Sequence, residues 1–504
     1  MKRPRMEVNL PELDRLLEEA TSAPLAVADS DKIKNALHAM AELIEARRRS
    51  AGRTTEKTAA VFPETAKKPD SGEEGGKKPG HGRKAASAYT GAEKIAVAHP
   101  ELKHKDPCPE CGQGKVYQQK EPRVLVRITG QAPLTAKVWE LERLRCNACG
   151  QTYTAPSPEG VGEDKYDERA VAMLGLLKYG SGMPLARSSL LEEMTGVPLA
   201  ESTQWELLDG GAEVLKAAGD ELIRQAAQGE IFHNDDTGMR VLKLERPAGD
   251  ARTGVFTTAV VSVVGERRIA LFFTGRNHAG ENFAEVLKER SRELAAPVQM
   301  CDALSRNVPK GVELLVANCL AHGRRQFVEV AGSFPEACRH VLVELGQVYA
   351  VEARARGHKL PPAERLALHQ AESGPVMAEL EKWCHAQFAQ KLVEPNSSLG
   401  KAIQYLLNHW KKLTLFLRVA GAPLDNNICE QALKRVVLHR KNALFYKTMH
   451  GAETGDLYMS LIQTCSLNEV NAFEYLTALL EHPLEVRAEP GAWMPWNYAD
   501  RLAA

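Results

Sequence analysis

Residues 231–244 read IFHNDDTGMRVLKL, and they open the part of the chain in which the fold is written. Two more strand-length apolar runs follow, GVFTTAVVSVVG at 254–265 and RRIALFFTG at 267–275. Next come a helical pattern over GENFAEVLKERSREL (280–294) and two short runs, PVQMCDA (297–303) and VELLVANCLAH (312–322). Three meandering strands followed by alternating helix and strand predict a mixed sheet covered by helices, an α/β (α+β) arrangement. Downstream, 324–424 is helical in pattern and punctuated by Pro361, Pro362, Pro375 and Pro395. Structureless loops of that length are uncommon inside domains, so this is read as a helical insertion. LDNNICEQALKRVVLHRKNALFYKTMHG (424–451) and a last helical stretch to 481 complete a domain spanning 229–481, and 482–504 reads as a Pro/Trp-containing tail.

Upstream the texture changes three times. Residues 161–228 are helical and include PLARSSLLEEMTGVPLAESTQWELLDGG, two short segments around the Gly196–Pro198 turn, which fits a helix-turn-helix. Two packed helices without DNA contact fit as well, because Glu201, Glu206 and Asp209 make the second segment acidic. Residues 100–160 show short strands between turn signals. Residues 51–99 are rich in Lys, Glu, Gly and Pro, too poor in large apolar side chains to offset the entropy of ordering, and read as a linker. In the first 50 residues Ile33, Leu37, Met40 and Ile44 form an apolar seam of two heptads, a short coiled coil at most.

At 504 residues, 44% hydrophobic, the chain is too long for one compact core, and two to four domains are expected. The longest apolar runs are strand-like and too short to span a membrane. The opening MKRPRMEVNLPELDRLLEE turns acidic where a signal peptide needs an apolar core, so a cytoplasmic protein is expected. The balance of 65 Lys+Arg against 65 Asp+Glu excludes a uniformly basic coat and leaves nucleic-acid binding to local patches.

Of ten cysteines, four form two C-x2-C pairs, Cys108 with Cys111 in CPECG and Cys146 with Cys149 in CNACG. Gly112 and Gly150 let each knuckle turn so that backbone amides face the sulfurs. Four thiolates favour a closed, structural Zn²⁺ site in a zinc ribbon, with VLVRITG between the pairs as a strand. A redox dithiol and unrelated core cysteines are the other readings. The six scattered cysteines read as small buried hydrophobes.

Asp235 and Asp236 lie in the first strand of the sheet, Asp302 ends a later strand, and Glu430 opens a helix. Singly, each has an ordinary explanation: an exposed strand end, a turn cap, or for Glu430 a capping box with Asn427. Should Asp235, Asp302 and Glu430 converge, two carboxylates ~4 Å apart repel by roughly 4 kcal/mol at an effective dielectric of 20, and the arrangement calls for cations. Hard oxygen ligands suit two Mg²⁺ or Mn²⁺ ions, which can serve phosphodiester displacement. Lys434, Arg435, Arg440 and Lys441 follow Glu430, and residues 430, 434, 437 and 441 share a helix face. His322, Arg324 and Arg325 follow another strand end. These basic residues are candidate phosphate contacts, or a solvated basic face.

With these residues in view, the chain resembles a bacterial transposase of the insertion sequence 66 family. The likeness runs from about 100 to 500, through CPECG…CNACGQTYTAPSPEG, KYGSGMPLARSS, HNDDTG, CDALSRN, NCLAHGRRQF, the 424–464 stretch beginning LDNNICEQALKR, AFEYLTALL and WMPW. It implies a ribonuclease H-like catalytic core with an acidic triad, falling here on Asp235, Asp302 and Glu430, and a helical insertion between the last two. The family's first motif usually reads Asp-Glu-Thr; here Asp236 shortens the second acid, which leaves Asp236 a supporting role. The Arg440-Lys441-Asn442 run joins the expected DNA contacts. Also implied are double-stranded DNA as partner, both element ends and target, a homo-oligomer on DNA, accessory proteins encoded alongside, and a nucleoid-associated place in the cytoplasm. A DNA transposase is thus expected. The rivals are a ribonuclease H-like nuclease that cuts without joining, and an inactive transposase-derived DNA-binding protein.

Overall fold

The computed structural model describes residues 58–62, 94–119, 123–162, 164–244 and 252–503. The N-terminal seam and all of the expected linker except 58–62 and 94–99 lie outside the described residues. The described residues form two compact units, 58–62 with Val328–Val343, and the remainder. In the first, Thr58 Oγ1 donates to Leu342 O at 3.2 Å, and the Arg339 guanidinium lies 5.1 Å from the centre of the Phe62 ring.

The larger unit begins with residues of little regular structure. A hairpin of β1 (Arg143–Arg145) and β2 (Thr152–Thr154) flanks the second cysteine knuckle. The stretch VLVRITG, expected as a strand, forms none, and Val124, Leu125 and Ile128 stand exposed. With no face to pack against, its β-forming side chains gain nothing from an extended ladder.

Three helices follow, α1 (Glu168–Gly175), α2 (Leu185–Met194) and α3 (Glu201–Ala226). Asp167 caps α1 by accepting from Ala170 N. The turn between α2 and α3 passes through Gly196 at φ +82°, a conformation that costs glycine little. Gln204 clasps this turn, its Nε2 donating to Glu192 Oε2, Ser189 Oγ and Leu199 O. The second helix of the pair runs 26 residues and turns Leu208, Leu215 and Leu222, all fully buried, into the same core as Ala259 and Val260 of the sheet. The helical region expected over 161–228 therefore shares its core with the following domain. The Leu-rich stripe carries α3 onto the sheet, and Gly211 brings it close to Val171 of α1 and to Tyr458.

The sheet is β3 (Ile231–Gly238), β5 (Phe256–Val264), β6 (Arg267–Gly275), β7 (Val298–Cys301) and β8 (Leu315–Asn318), in the order β6-β5-β3-β7-β8. The first three strands pair antiparallel, and β7 and β8 add parallel to β3. The short β4 (Val241–Lys243) instead pairs parallel with β9 (Tyr446–Thr448). Helix α4 (Ala279–Leu287) packs on the sheet, its Phe283 ring 4.8 Å from that of Phe232.

The insertion begins slightly earlier than expected, with α5 (Leu320–Val330), and continues through α6 (Pro335–Gly357), Pro362–Leu368, α7 (Gly374–Ala389) and α8 (Ser398–Leu413). Pro362 and Pro375 sit in first turns, where no backbone donor is required. Then come α9 (Asn427–Ala443), α10 (Met449–Leu467) and α11 (Ala472–Glu481).

Helix α10 closes the open edge of the sheet. The backbone N–H groups of Arg268, Ala270, Phe272 and Thr274 donate to Asn468 Oδ1, Thr464 Oγ1, Ser460 Oγ and Asp456 Oδ2, at 3.1, 3.1, 3.0 and 2.5 Å. Four residues along a helix rise about 6.0 Å and two along a strand about 6.8 Å, so polar side chains at every fourth helical position meet alternate strand residues. An exposed row of donors is thereby covered. The segment read as a tail is folded: Trp493 and Met494 are buried, and Tyr475 Oη donates to Trp493 O at 3.0 Å. No helix among the described residues is long and apolar enough to cross a membrane.

Candidate functional site

Strand register brings the two aspartates together. His233 of β3 pairs with Met300 of the parallel β7, and Asp235 and Asp302 each lie two residues further on, so Asp235 within β3 stands beside Asp302 just past the end of β7. The side-chain amide of Asn307 donates to Asp302 Oδ1 at 2.5 Å and to Asp235 Oδ1 at 3.3 Å. Beneath it lies a buried amide network. Gln299 Nε2 donates to Asn234 Oδ1 and to Asn307 O, and Asn234 Nδ2 also donates to Asn307 O. Burial, and then the charges of Asp302 and Asp236, push the Asp235 carboxyl up to about 7 against the opposing N–H of Asp236. Asp302 also forms the turn cap of the ordinary reading, accepting from Leu304 N at 3.1 Å; the two roles coexist.

Asp236 points elsewhere. Its carboxylate is almost fully buried and meets His278 Nδ1 at 3.0 Å and Arg306 Nη2 at 3.2 Å.

Glu430 lies in the first turn of α9, and its carboxylate groups with Cys319 and His322: among the described residues the expected trio of Asp235, Asp302 and Glu430 does not bring its ligand atoms within 4.8 Å of one another. The capping box with Asn427 does not form: Asn426 is the N-cap residue and makes no side-chain cap bond. Its side chain is spent on β3, with Nδ2 donating to Asn234 O at 3.1 Å and Oδ1 lying 3.1 Å from His233 Nδ1. Glu430 N donates to Asn426 O, so one turn of helix separates Glu430 from a residue bonded to Asp235's neighbour on β3. Glu430 Oε1 is buried without a hydrogen-bond partner and lies 3.8 Å from His322 Nε2.

The basic candidates divide. Lys434 and Lys441 are exposed on one face of α9. Arg435 is taken up internally, donating to Gly180 O at 2.6 Å and Gln463 Oε1 at 2.9 Å. Arg440 is held at the end of β3 by Thr237 Oγ1 at 3.0 Å and by Gly238 O. Both guanidiniums tie α9 to neighbouring segments, which removes them from a free phosphate-binding face. His322, Arg324, Arg325 and Asn442 are partly exposed.

Both cysteine knuckles form, with Gly112 N donating to Cys108 O and Gly150 N to Cys146 O. The N–H groups of Gly114 and Gln113, then the Cys108 side chain, lower the Cys111 thiol; those of Cys149 and Ala148, then the Cys149 side chain, lower that of Cys146. This donor set fits a thiophilic ion. The four sulfurs do not gather around one point, however: among the described residues, Cys319, His322 and Glu430 are the group of three ligand atoms within 4.8 Å of one another.

Asn307, Gln299, Asn234 and Asn426 escaped the reading of the sequence. The available signal was an amide side chain inside an apolar strand, Gln299 between Val298 and Met300.

A family model described as Transposase IS66 family matches residues 165–454. The chain is 35% identical over 196 residues to the uncharacterized protein y4jD of Sinorhizobium fredii, an alignment covering 38% of this chain and 37% of that protein. It is 23% identical over 432 residues to the uncharacterized protein y4hP of the same organism, covering 79% and 74%. For a third, y4qI, identity is 25% over 345 residues, covering 66% and 62%.

Proposed function

The chain belongs to the transposase IS66 family, and from that premise we propose that it cuts the ends of a DNA element and joins the resulting 3′ hydroxyls to target DNA. The convergence of Asp235 and Asp302 on the single amide of Asn307 carries this reading. The strand order β6-β5-β3-β7-β8, three antiparallel strands and then two parallel, supports a ribonuclease H-like core.

Asp235, Asp302 and Glu430 would hold Mg²⁺ or Mn²⁺. The orphaned Glu430 Oε1 and the raised proton affinity of Asp235 fit carboxylates arranged for cations. Such ions supply the positive charge that favours ionisation of an attacking oxygen and departure of a leaving one. Asn307 fixes the two aspartates, and Asn426 fixes the helix that presents Glu430. Lys434 and Lys441, along the face that begins at Glu430, would bind backbone phosphates. Cys108, Cys111, Cys146 and Cys149 would share a structural Zn²⁺, whose binding draws the two knuckles together. Action at two element ends calls for a homo-oligomer on DNA, with accessory proteins encoded alongside.

The test is cleavage and joining of labelled element ends by the purified chain, with Asp235→Asn, Asp302→Asn and Glu430→Gln. Each variant is expected to bind ends and to lose both reactions. Metal-dependent cleavage at the normal rate by Asp302→Asn would overturn the assignment, and cleavage without covalent joining would leave a nuclease.

A further inference from the structure

The loop that ends β8 presents a different donor set from the aspartates. Cys319 and His322 stand in a Cys-x2-His arrangement at the start of α5. The Cys319 sulfur is fully buried. It accepts from Asn426 N at 3.3 Å, and the backbone N–H of His322 also faces it. Burial pushes the Cys319 thiol up to about 11 against these two donors, so the sulfur is a thiol in the ion-free protein and becomes thiolate only with a cation beside it. His322 Nε2 lies 3.8 Å from Glu430 Oε1, and a ligand atom from each of the three residues falls within 4.8 Å of the others. His322 Nδ1 and Glu430 Oε1 are both buried atoms without a hydrogen-bond partner. A buried acceptor or donor left unpaired costs about 1–3 kcal/mol, so two at one place point to a ligand.

We propose that Cys319, His322 and Glu430 form a binding site for a borderline-soft divalent ion of the zinc class. Sulfur, imidazole and carboxylate together select such an ion over Mg²⁺, which prefers oxygen alone. Tetrahedral zinc bonds of about 2.0–2.3 Å place ligand atoms roughly 3.5 Å apart, so the group must contract by ~1 Å. Partly exposed Glu430 and His322 supply that movement by side-chain rotation. Binding converts the Cys319 thiol to thiolate and releases one proton to solvent. Three protein ligands leave a fourth position open. One consequence rests on the reading of Glu430 as the third catalytic acid: an ion held here engages Glu430 and inhibits strand cleavage.

Co²⁺ titration of the full chain tests the site, read by sulfur-to-cobalt charge-transfer absorption and by bound equivalents. Cys319→Ala and His322→Gln, checked for folding by thermal unfolding, are each expected to bind one tight equivalent fewer than the native chain, while Cys108→Ser removes a separate contribution. The loss in affinity at this site exceeds the 10–100-fold that outer-sphere changes alone produce. Zn²⁺ added to Mg²⁺-supported cleavage is expected to inhibit the native chain at concentrations that Cys319→Ala tolerates. Unchanged Co²⁺ binding in both variants overturns the site and leaves the catalytic reading intact. If Glu430→Gln loses the equivalent yet still cleaves with Mg²⁺, the site stands and the catalytic reading falls.

Discussion

Asn307 Nδ2 lies 2.5 Å from Asp302 Oδ1, and the same nitrogen reaches Asp235 at 3.3 Å. One amide thus sets the spacing of two carboxylates that would otherwise repel. Asn307→Ala is expected to weaken Mg²⁺ dependence of cleavage by about 10–100-fold, as loss of an outer-shell partner does. Excess Mn²⁺ should restore part of the activity. A native metal-dependence curve for this variant would show that Asn307 does not position the pair.

The two lysines of α9 and its arginines separate by assay. Lys434→Ala with Lys441→Ala is expected to weaken DNA binding at all sequences and to lower the salt slope by about 0.9 for each phosphate no longer neutralised. Thermal stability should stay native. Arg435→Ala should do the reverse, lowering stability because Gly180 O and Gln463 lose their donor. Equal effects of both changes on the salt slope would contradict the division.

Asp456 is buried between α10 and β6, and burial pushes its carboxyl up to about 7 against two hydrogen bonds from Thr274. Because the folded value lies above the unfolded one, near 3.8, its contribution to stability is whole below the latter. It is lost as pH rises through about 7. Asp235, also near 7, acts in the same window. His233 and His439, pushed down to about 4 by burial, contribute fully above 6.5 and lose that contribution as pH falls through 4. Stability should therefore decline from pH 6.5, above which the histidines contribute fully, to about 7.5 and then level off, and Asp456→Asn should flatten part of that decline in urea unfolding. An undiminished slope in the variant would refute the assignment.

Gly211 packs against Tyr458. A Cβ there would lie 2.5 Å from Tyr458 Oη and 2.7 Å from Val171 Cγ1. Helix propensity alone favours alanine by about 1 kcal/mol, whereas overpacking costs about 1–3 kcal/mol. Tyr458 is also held by its bond to Leu208 O, so the clash is expected to win and Gly211→Ala to destabilise. A gain in unfolding free energy would mean the ring moves aside freely.

The alternation at 231–275 and the helical pattern after 324 were legible in the sequence because side-chain period follows backbone geometry directly. The same local logic announced both cysteine knuckles through their glycines and singled out Asp235, Asp302 and Glu430 as acids in unusual places. It failed where partners are distant. VLVRITG has strand-forming side chains but no face to pair with. Arg435 and Arg440 look like free cations until Gly180 and Thr237 arrive from elsewhere. Residues 482–504 look like a tail until Tyr475 binds the backbone of Trp493.

Sequence by itself determined most of the strands and helices between 161 and 481, since periodicity is a property of neighbours along the chain. Only tertiary structure decided that Asp235 and Asp302 stand side by side, that Asn307 joins them, and that Cys319, His322 and Glu430 share a corner. Those relations depend on parallel register and on helix docking, which couple residues 67 to 111 positions apart (302 − 235 and 430 − 319), and no local pattern carries that information.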